Sequence, residues 1–269
     1  MRRPSTSPST SSGYAQDERG NSLLRGRECT NLLWSDLEAG KKGMRSMDKQ
    51  KQASSLKPQA SFAFPSPLYT IADTLGRPEL SFVQIAEQLC AGGAKILQLR
   101  AKDLPSRELL AIAHKVKEVC HRSGCLLIVN DRADVTLAVD ADGVHVGQED
   151  LPLAAARKVL GPQKIIGVST HDPQQAQTAE RDGADYIGFG PMYGTTTKAT
   201  GYTARGLEQL REIRVLVRIP IVAIGGITSE RARTTLTAGA DAVAMISDLV
   251  LATDVSAKVR ETLTQIAGC

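Results

Sequence analysis

From residue 68 onward, short apolar segments alternate with longer amphipathic ones. The apolar segments are five or six residues long and rich in β-branched side chains. They occupy 68–72, 95–100, 126–130, 143–147, 164–169, 185–190, 220–225 and 242–247. Runs of this length and composition are typical of strands that are buried on both faces, as in parallel sheets. The pattern therefore predicts eight buried strands.

The segments between these strands have the periodicity and the end signals of helices. Gly92, Gly124 and Gly239 stand where helix C-termini are expected, and Pro105 and Pro173 stand at helix openings. Strands that alternate with helices specify a parallel sheet, and eight such units allow it to close. An open doubly wound sheet is the alternative, but no GxGxxG turn follows the first strand. We therefore expect an α/β fold, a single (β/α)8 TIM barrel over residues 67–269.

Residues 1–66 differ from the rest. They begin with a Ser/Thr/Pro-rich stretch and show no sustained period of 2 or 3.6. Basic residues outnumber acidic ones by five in residues 1–60, whereas the remainder has one more acid than base. We expect a basic, low-complexity, disordered extension without a catalytic role. Since the basicity lies there, it gives no argument that the barrel binds nucleic acid.

The remaining composition predicts a soluble protein in a reducing compartment. The chain has no apolar run long enough to cross a membrane. We expect no secretory signal, because no apolar segment follows Arg2 and Arg3. Its five cysteines include no CxxC pair. Cys120 and Cys125 lie near His114 and His121, but their spacing fits no common zinc motif. We interpret the cysteines as free thiols in a reducing compartment and expect a cytoplasmic location.

Polar residues or glycines follow seven of the predicted strands. In a TIM barrel the carboxyl ends of the strands carry the active site. The residues found there are Gln98, Arg100 and Lys102; Asn130 and Asp131; Gln148, Glu149 and Asp150; Ser169, Thr170 and His171; the segment 190–201; Gly225 and Gly226; and Ile246 and Ser247.

The basic members of this set predict an anion site. Arg100, Lys102 and Lys198 offer convergent positive charge, and Ser169 and Thr195–Thr197 add hydroxyl groups. Such a combination is suited to a diphosphate. The threonines taken alone are equally typical of a solvated loop.

The acidic members predict a metal site. Asp131 and Asp150 come from adjacent strands, and carboxylates beside a diphosphate usually hold Mg²⁺. A plain salt bridge between Arg100 and Asp131 is the alternative for that pair. Gly225 and Gly226 can present backbone N–H groups to a phosphate, although a helix that packs closely on a strand also needs glycine.

Two histidines lie close to the same end of the barrel. His145, inside the fourth strand, is expected to be a hydrogen-bonded core histidine and not a ligand. His171 lies nearer to the predicted rim, where it is expected to support other site residues.

Several motifs together resemble the thiamine-phosphate synthase family. They occupy 98–104, 129–152, 165–171, 190–198, 223–228 and 244–247, and the resemblance runs from Leu68 to the C-terminus. It implies a pyrimidine diphosphate site at Gln98, Leu99, Arg100, Ala101, Lys102, Asn130, Ser169 and Lys198, with Arg100, Lys102 and Lys198 catalytic. It implies a thiazole phosphate site at Thr195, Thr196, Thr197, Gly226, Ile246 and Ser247. It also implies Mg²⁺ ligation by Asp131 and Asp150.

The reaction implied by the resemblance is a Mg²⁺-assisted dissociative substitution in thiamine biosynthesis. Diphosphate leaves 4-amino-5-hydroxymethyl-2-methylpyrimidine diphosphate, and the nitrogen of hydroxyethylthiazole phosphate, or of its carboxylated form, captures the cation. Ala101 stands where many members carry an acidic residue, which we expect to tune the site without abolishing it.

Two other functions are compatible with the same barrel. One is a thiazole tautomerase, a sister enzyme that lacks the full diphosphate and metal set. The other is a non-catalytic barrel that binds thiazole phosphate. In each case the expected partners are small molecules, with no nucleic acid and no membrane, and the sequence leaves a homo-oligomer open.

Overall fold

The computed structural model describes residues 62–74, 76–194 and 203–267. They all belong to one compact unit, Lys57–Cys269. Most of the predicted extension, residues 1–61, lies outside the described residues, so its disorder and the domain boundary at 66/67 remain predictions.

Eight parallel strands form a closed barrel in sequence order, and β8 pairs with β1. They are β1 (Leu68–Ala72), β2 (Ile96–Leu99), β3 (Leu126–Asn130), β4 (Gly143–Val146), β5 (Ile165–Thr170), β6 (Tyr186–Phe189), β7 (Ile221–Ile224) and β8 (Ala242–Met245). The predicted TIM barrel is confirmed. Each predicted strand is present, with ends shifted by at most two residues.

Helices follow the strands and surround the barrel. They are α1 (Phe82–Ala91), α2 (Ser106–Arg122), α3 (Ala133–Ala138), α4 (Leu153–Leu160), α5 (Pro173–Arg181), α6 (Gly206–Leu216), α7 (Ser229–Thr237), α8 (Ser247–Val250) and α9 (Val255–Ile266). Pro105 is the N-cap of α2 and Pro173 is the first residue of α5, as predicted. In the described part of the chain, no helix combines the length and the apolarity that a membrane crossing requires.

Alternation along the strands divides the core into two layers. Side chains such as Ile96, Ile128 and Val222 point into the barrel and pack as one cluster. Their neighbours, such as Leu97 and Leu127, belong to a larger cluster between the strands and the helices. Because successive side chains point to opposite faces, the position of a residue in its strand decides whether it can reach the barrel interior.

Aromatic rings fill the amino-terminal end of the barrel. Phe62 and Phe64 precede β1, and their ring centroids lie 5.7 and 5.1 Å from that of Tyr186. Phe64 also packs edge-on against Tyr69, with centroids 6.0 Å apart. This end of the interior is therefore apolar and packed, which leaves the opposite end for a polar site.

Candidate active site

A pocket of about 510 Å³ lies at the carboxyl ends of the strands. Residues of all eight strands, or of the loops that follow them, line it. Residues expected at this rim that do not line it include Lys102, Asp131, Gln148, Glu149 and Asp150. The predicted site residues that line it are Gln98, Arg100, Asn130, Ser169, Gly226, Ile246 and Ser247.

Other predicted residues have different surroundings. The side chain of Leu99 is fully buried in the outer core layer, and Ala101 packs against the same layer. Neither residue lines the pocket. Lys198 and Thr195–Thr197 lie outside the described residues.

The two predicted metal ligands do come together. Asp131 follows β3 with φ at +64°, and its N–H donates to the carbonyl of His145 over 2.8 Å. A carboxylate oxygen of Asp150 accepts the N–H of Gly147 over 2.7 Å. The two strands thus fix the position of both residues through backbone contacts.

The electrostatics of this pair favour a cation. The pKa of Asp150 is raised above its ordinary value, chiefly by burial and then by its interaction with Asp131. Lys102 Nζ lies 3.0 Å from an Asp131 carboxylate oxygen and balances one of the two charges. Because one negative charge is left over, and because carboxylate oxygens suit hard cations, these residues fit a divalent metal ion.

Arg100 does not form the salt bridge with Asp131 that was considered as an alternative to a metal site. Its guanidinium donates to Asp73, whose carboxylate is almost fully buried, and not to Asp131. The cause is the strand register, since the N–H of Arg100 donates to the carbonyl of Ala72 and thereby places Asp73 beside it. The salt bridge to Asp131 comes from Lys102 instead.

A hydrogen-bonded chain of side chains forms the floor of the pocket. Gln98 Nε2 donates to the Tyr69 hydroxyl, which lies 3.0 Å from the Tyr186 hydroxyl. The chain continues from Tyr186 to His145 Nδ1 over 3.1 Å, and from His145 Nε2 to Ser169 Oγ over 2.9 Å. Burial raises the pKa of both tyrosines, so their hydroxyls stay protonated.

These hydrogen bonds add to what was expected of His145. The residue is hydrogen-bonded, as predicted, but it also lines the pocket. His171 lines the pocket as well, and its Nδ1 lies 2.6 Å from the carbonyl oxygen of Gly190, so Nδ1 carries the proton.

Two glycines form a wall of the pocket. Gly225 and Gly226 have φ values of +102° and +65°. A Cβ on Gly225 would lie 2.7 Å from Pro191 Cα, and one on Gly226 would lie 2.5 Å from the carbonyl oxygen of Gly194. Both the backbone conformation and the close approach of the loop after β6 therefore require glycine.

Sequence reasoning missed several residues of this site. Tyr69 and Tyr186 were counted only as strand residues, although alternation within β1 and β6 is the signal that directs them inward. Arg231 also lines the pocket; it stacks on Tyr193 at 4.6 Å and donates to the carbonyl of Gly226 over 2.8 Å. No motif in the sequence marks Arg231.

A closed barrel of eight parallel strands, with a pocket at the carboxyl ends of those strands, is the arrangement of a TIM-barrel enzyme. A family model described as thiamine monophosphate synthase matches residues 68–249. The chain belongs to this family, and its class is that of a transferase. The resemblance predicted from the sequence motifs is confirmed.

Individual relatives agree. Thiamine-phosphate synthase of Moorella thermoacetica is 47% identical over 207 residues, which cover 75% of this chain and 97% of that protein. The corresponding protein of Methanospirillum hungatei is 48% identical, over 72% of this chain and 94% of its own length. The solved structure of thiamine phosphate pyrophosphorylase from Pyrococcus furiosus superposes with a TM-score of 0.67 at 39% identity, covering 75% of this chain and 96% of that one.

Proposed function

We propose that this enzyme joins 4-amino-5-hydroxymethyl-2-methylpyrimidine diphosphate to hydroxyethylthiazole phosphate, or to its carboxylated form, and releases diphosphate. The observation that carries the proposal is the cluster of Lys102, Asp131 and Asp150 beside a pocket into which Arg100 projects. Such a cluster suits a substrate whose most charged part is a diphosphate bound with a metal ion.

The bond changes define what the protein must supply. The C–O bond at the pyrimidine methylene breaks, and diphosphate leaves with the electron pair. The electron-rich aminopyrimidine ring stabilises the resulting cation, and the lone pair of the thiazole nitrogen then forms the new C–N bond. No nucleophilic side chain is needed, so catalysis depends on neutralising the leaving group and on positioning both substrates.

Asp131 and Asp150 are the residues that would hold Mg²⁺. Their fit is supported by the donor set: two carboxylates from neighbouring strands lie together, and Lys102 is the ion-pair partner of Asp131. When bound, Mg²⁺ supplies positive charge to the oxygens of the diphosphate. Lys102, already at 3.0 Å from Asp131, stands beside that position.

The pyrimidine end of the pocket is assigned to Gln98, Asn130 and Ser169. Gln98 uses its amide N–H₂ group on Tyr69, which leaves its carbonyl oxygen as an acceptor for the exocyclic amine of a pyrimidine. The guanidinium of Arg100 donates a hydrogen bond to Asp73. A guanidinium has five N–H donors, so others can donate to phosphate oxygens. Lys198 is assigned to the same diphosphate.

The thiazole phosphate is assigned to the opposite wall. Gly226 and Ser247 line the pocket there, next to Ile246. The absence of a Cβ at Gly226 lets an anion approach its backbone N–H, as in other phosphate sites after strands seven and eight of TIM barrels. Thr195–Thr197 are assigned to the same substrate.

We place the enzyme in the cytoplasm and limit its substrates to small molecules. Cys90, Cys120 and Cys125 are free thiols in the described part of the chain, which suits a reducing compartment.

The decisive experiment measures both products at once. Purified protein is given both substrates and Mg²⁺, and thiamine phosphate and diphosphate are quantified over time. Equal molar amounts are expected. Conversion of a thiazole phosphate tautomer in the absence of the pyrimidine, without any diphosphate, would instead establish a tautomerase. Binding of thiazole phosphate without turnover would establish a binding barrel.

A further inference from the structure

Three buried cysteines meet far from the active-site pocket. The sulfur atoms of Cys90, Cys120 and Cys125 all lie within 4.8 Å of one another. Their side chains are 8%, 0% and 5% exposed, and none of them lines the pocket. Cys90 belongs to α1, Cys120 to α2, and Cys125 directly precedes β3. The group therefore lies at the amino-terminal end of the barrel, opposite the catalytic end.

The turn after α2 fixes two of the three positions. The N–H of Cys125 donates to the carbonyl of Cys120 over 2.9 Å, and the N–H of Gly124 donates to the carbonyl of His121. Gly124 has φ at +59°. These are the bonds of a Schellman motif, which ends a helix in one defined geometry. Cys125 is thereby folded back against Cys120.

The turn after α1 holds the third position in the same way. The N–H of Ala94 donates to the carbonyl of Leu89, and the N–H of Gly93 donates to the carbonyl of Cys90. The two turns are then joined by the bond from the N–H of Leu126 to the carbonyl of Lys95. All three sulfur atoms are therefore carried by backbone that is hydrogen-bonded and not by a free loop.

We propose that Cys90, Cys120 and Cys125 form a binding site for a thiophilic metal ion, such as Zn²⁺ or Cu⁺. This site is independent of the proposed synthase activity.

The spacing of the sulfur atoms fits such an ion. A metal–sulfur bond of about 2.3 Å places the ligands of a trigonal or tetrahedral ion about 4 Å apart. That separation lies within the observed limit of 4.8 Å. Thiolates are the ligands that select Zn²⁺ and Cu⁺ over hard cations.

Among the described residues, no histidine or carboxylate joins the three cysteines as a fourth protein ligand. The site is thus either three-coordinate, or four-coordinate with an external ligand that enters beside Cys90, the most exposed of the three.

From the sequence, zinc was not expected, because the spacing of Cys120 and Cys125 relative to His114 and His121 fits no common zinc motif. Both histidines are exposed and take no part in the group. The third sulfur comes from Cys90, thirty residues before Cys120, through the packing of α1 on α2.

A spectroscopic titration tests the site. The full-length protein, reduced with a phosphine under nitrogen, is titrated with Cd²⁺, and the thiolate-to-metal charge-transfer band is followed in the ultraviolet. Zn²⁺ and Cu⁺ are then added as competitors. One equivalent of Cd²⁺ should bind and should protect three thiols from a thiol reagent.

Two sets of variants locate the binding. Cys120→Ser and, at the more exposed edge, Cys90→Ala should each weaken Cd²⁺ binding by more than about tenfold, since even the loss of an outer-shell partner costs that much. The matched control, Cys29→Ser with Cys269→Ser, removes the two cysteines outside the described residues and should bind as the wild type does. Thermal unfolding of each variant without metal shows whether it is folded.

Three results would overturn the proposal. The first is the absence of a charge-transfer band in the reduced wild type. The second is a band that survives in folded Cys120→Ser and Cys90→Ala but disappears in the control. The third is binding of Cd²⁺ that leaves Cys90, Cys120 and Cys125 as reactive toward the thiol reagent as they are in the metal-free protein.

Discussion

The position of the Arg100 side chain depends on its ion pair with Asp73. Its guanidinium is bonded to the buried carboxylate of Asp73, so the direction of the side chain is fixed before any substrate binds. Asp73→Asn removes the charge while keeping the shape. We expect kcat/KM for the pyrimidine diphosphate to fall by roughly 10- to 100-fold, since a misplaced group costs about that much. Steady-state kinetics measure the change.

A matched control separates this effect from a general loss of charge. Asp134→Asn breaks the ion pair of Asp134 with Arg132, which is exposed. It should leave kcat/KM within about twofold, because exposed pairs contribute little. An Asp73→Asn enzyme that is folded and as active as the wild type would contradict the positioning role of Asp73.

For single residues, the sequence predicted which charged side chains lie at the carboxyl ends of the strands. It did not predict every ion-pair partner of these side chains. Asp131 and Asp150 were assigned together, and the structure brings them together. The partner of Arg100 depends on the register between β1 and β2, which no local pattern reveals. The tyrosines of the floor were missed because they resemble ordinary strand residues.

At the scale of elements, five strands are linked through side chains inside the barrel. Tyr186, on β6, stands at the middle of the hydrogen-bonded chain, between Tyr69 on β1 and His145 on β4. Tyr186→Phe removes a partner from both. We expect a loss of about 1–3 kcal/mol in the free energy of unfolding, because buried polar groups lose hydrogen bonds. Urea denaturation measures it.

Tyr193→Phe is the control for this prediction. Its hydroxyl bonds to Thr235 in a half-buried position outside the chain. The expected loss is under about 1 kcal/mol, since water can replace the bond. Equal losses in the two variants would show that the buried hydrogen bonds of Tyr186 add no more to the free energy of unfolding than the half-buried bond of Tyr193.

The loop after β7 gives a second prediction at this scale. Gly226→Ala places a Cβ 2.5 Å from the carbonyl oxygen of Gly194 and adds strain at φ +65°. Gly124→Ala adds similar strain at φ +59° but meets no atom within 4 Å. We expect Gly124→Ala to cost about 1 kcal/mol and Gly226→Ala clearly more.

The two glycine variants should also differ in function. Gly226→Ala should raise KM for thiazole phosphate by roughly tenfold or more, because the pocket wall moves where that substrate is assigned. KM in Gly124→Ala should be unchanged. Similar stability and similar KM in both variants would show that the contact with Gly194 is unimportant.

At the scale of the whole molecule, the interior of the barrel is filled by aromatic rings at one end and holds a pocket at the other. Phe62 and Phe64 close the apolar end over Tyr69 and Tyr186. A chain that begins at residue 62 should therefore keep the activity and the stability of the barrel. A chain that begins at residue 67 should lose about 1–3 kcal/mol of stability with the two rings. Thermal and urea unfolding of the two truncated proteins compare them directly.

Equal stability of the two truncated proteins would contradict this role for Phe62 and Phe64. It would also favour the boundary at 66/67 that the sequence analysis predicted from composition. The boundary was placed just before the first predicted strand. Phe62 and Phe64 gave no reason to move it, because two aromatic residues in a Ser- and Lys-containing stretch carry no periodic signal. The barrel itself was predictable because its alternation repeats eight times.

We propose that Asp131 and Asp150 make the activity of this enzyme dependent on a metal ion. The most direct measurement is diphosphate release with both substrates as Mg²⁺ is titrated, in the wild type, Asp131→Ala and the exposed control Asp140→Asn. We predict saturable Mg²⁺ dependence in the wild type and the control, and a loss of at least about 100-fold in Asp131→Ala. Release that continues in the presence of a chelator, or that is unchanged in Asp131→Ala, would contradict metal binding by these two residues.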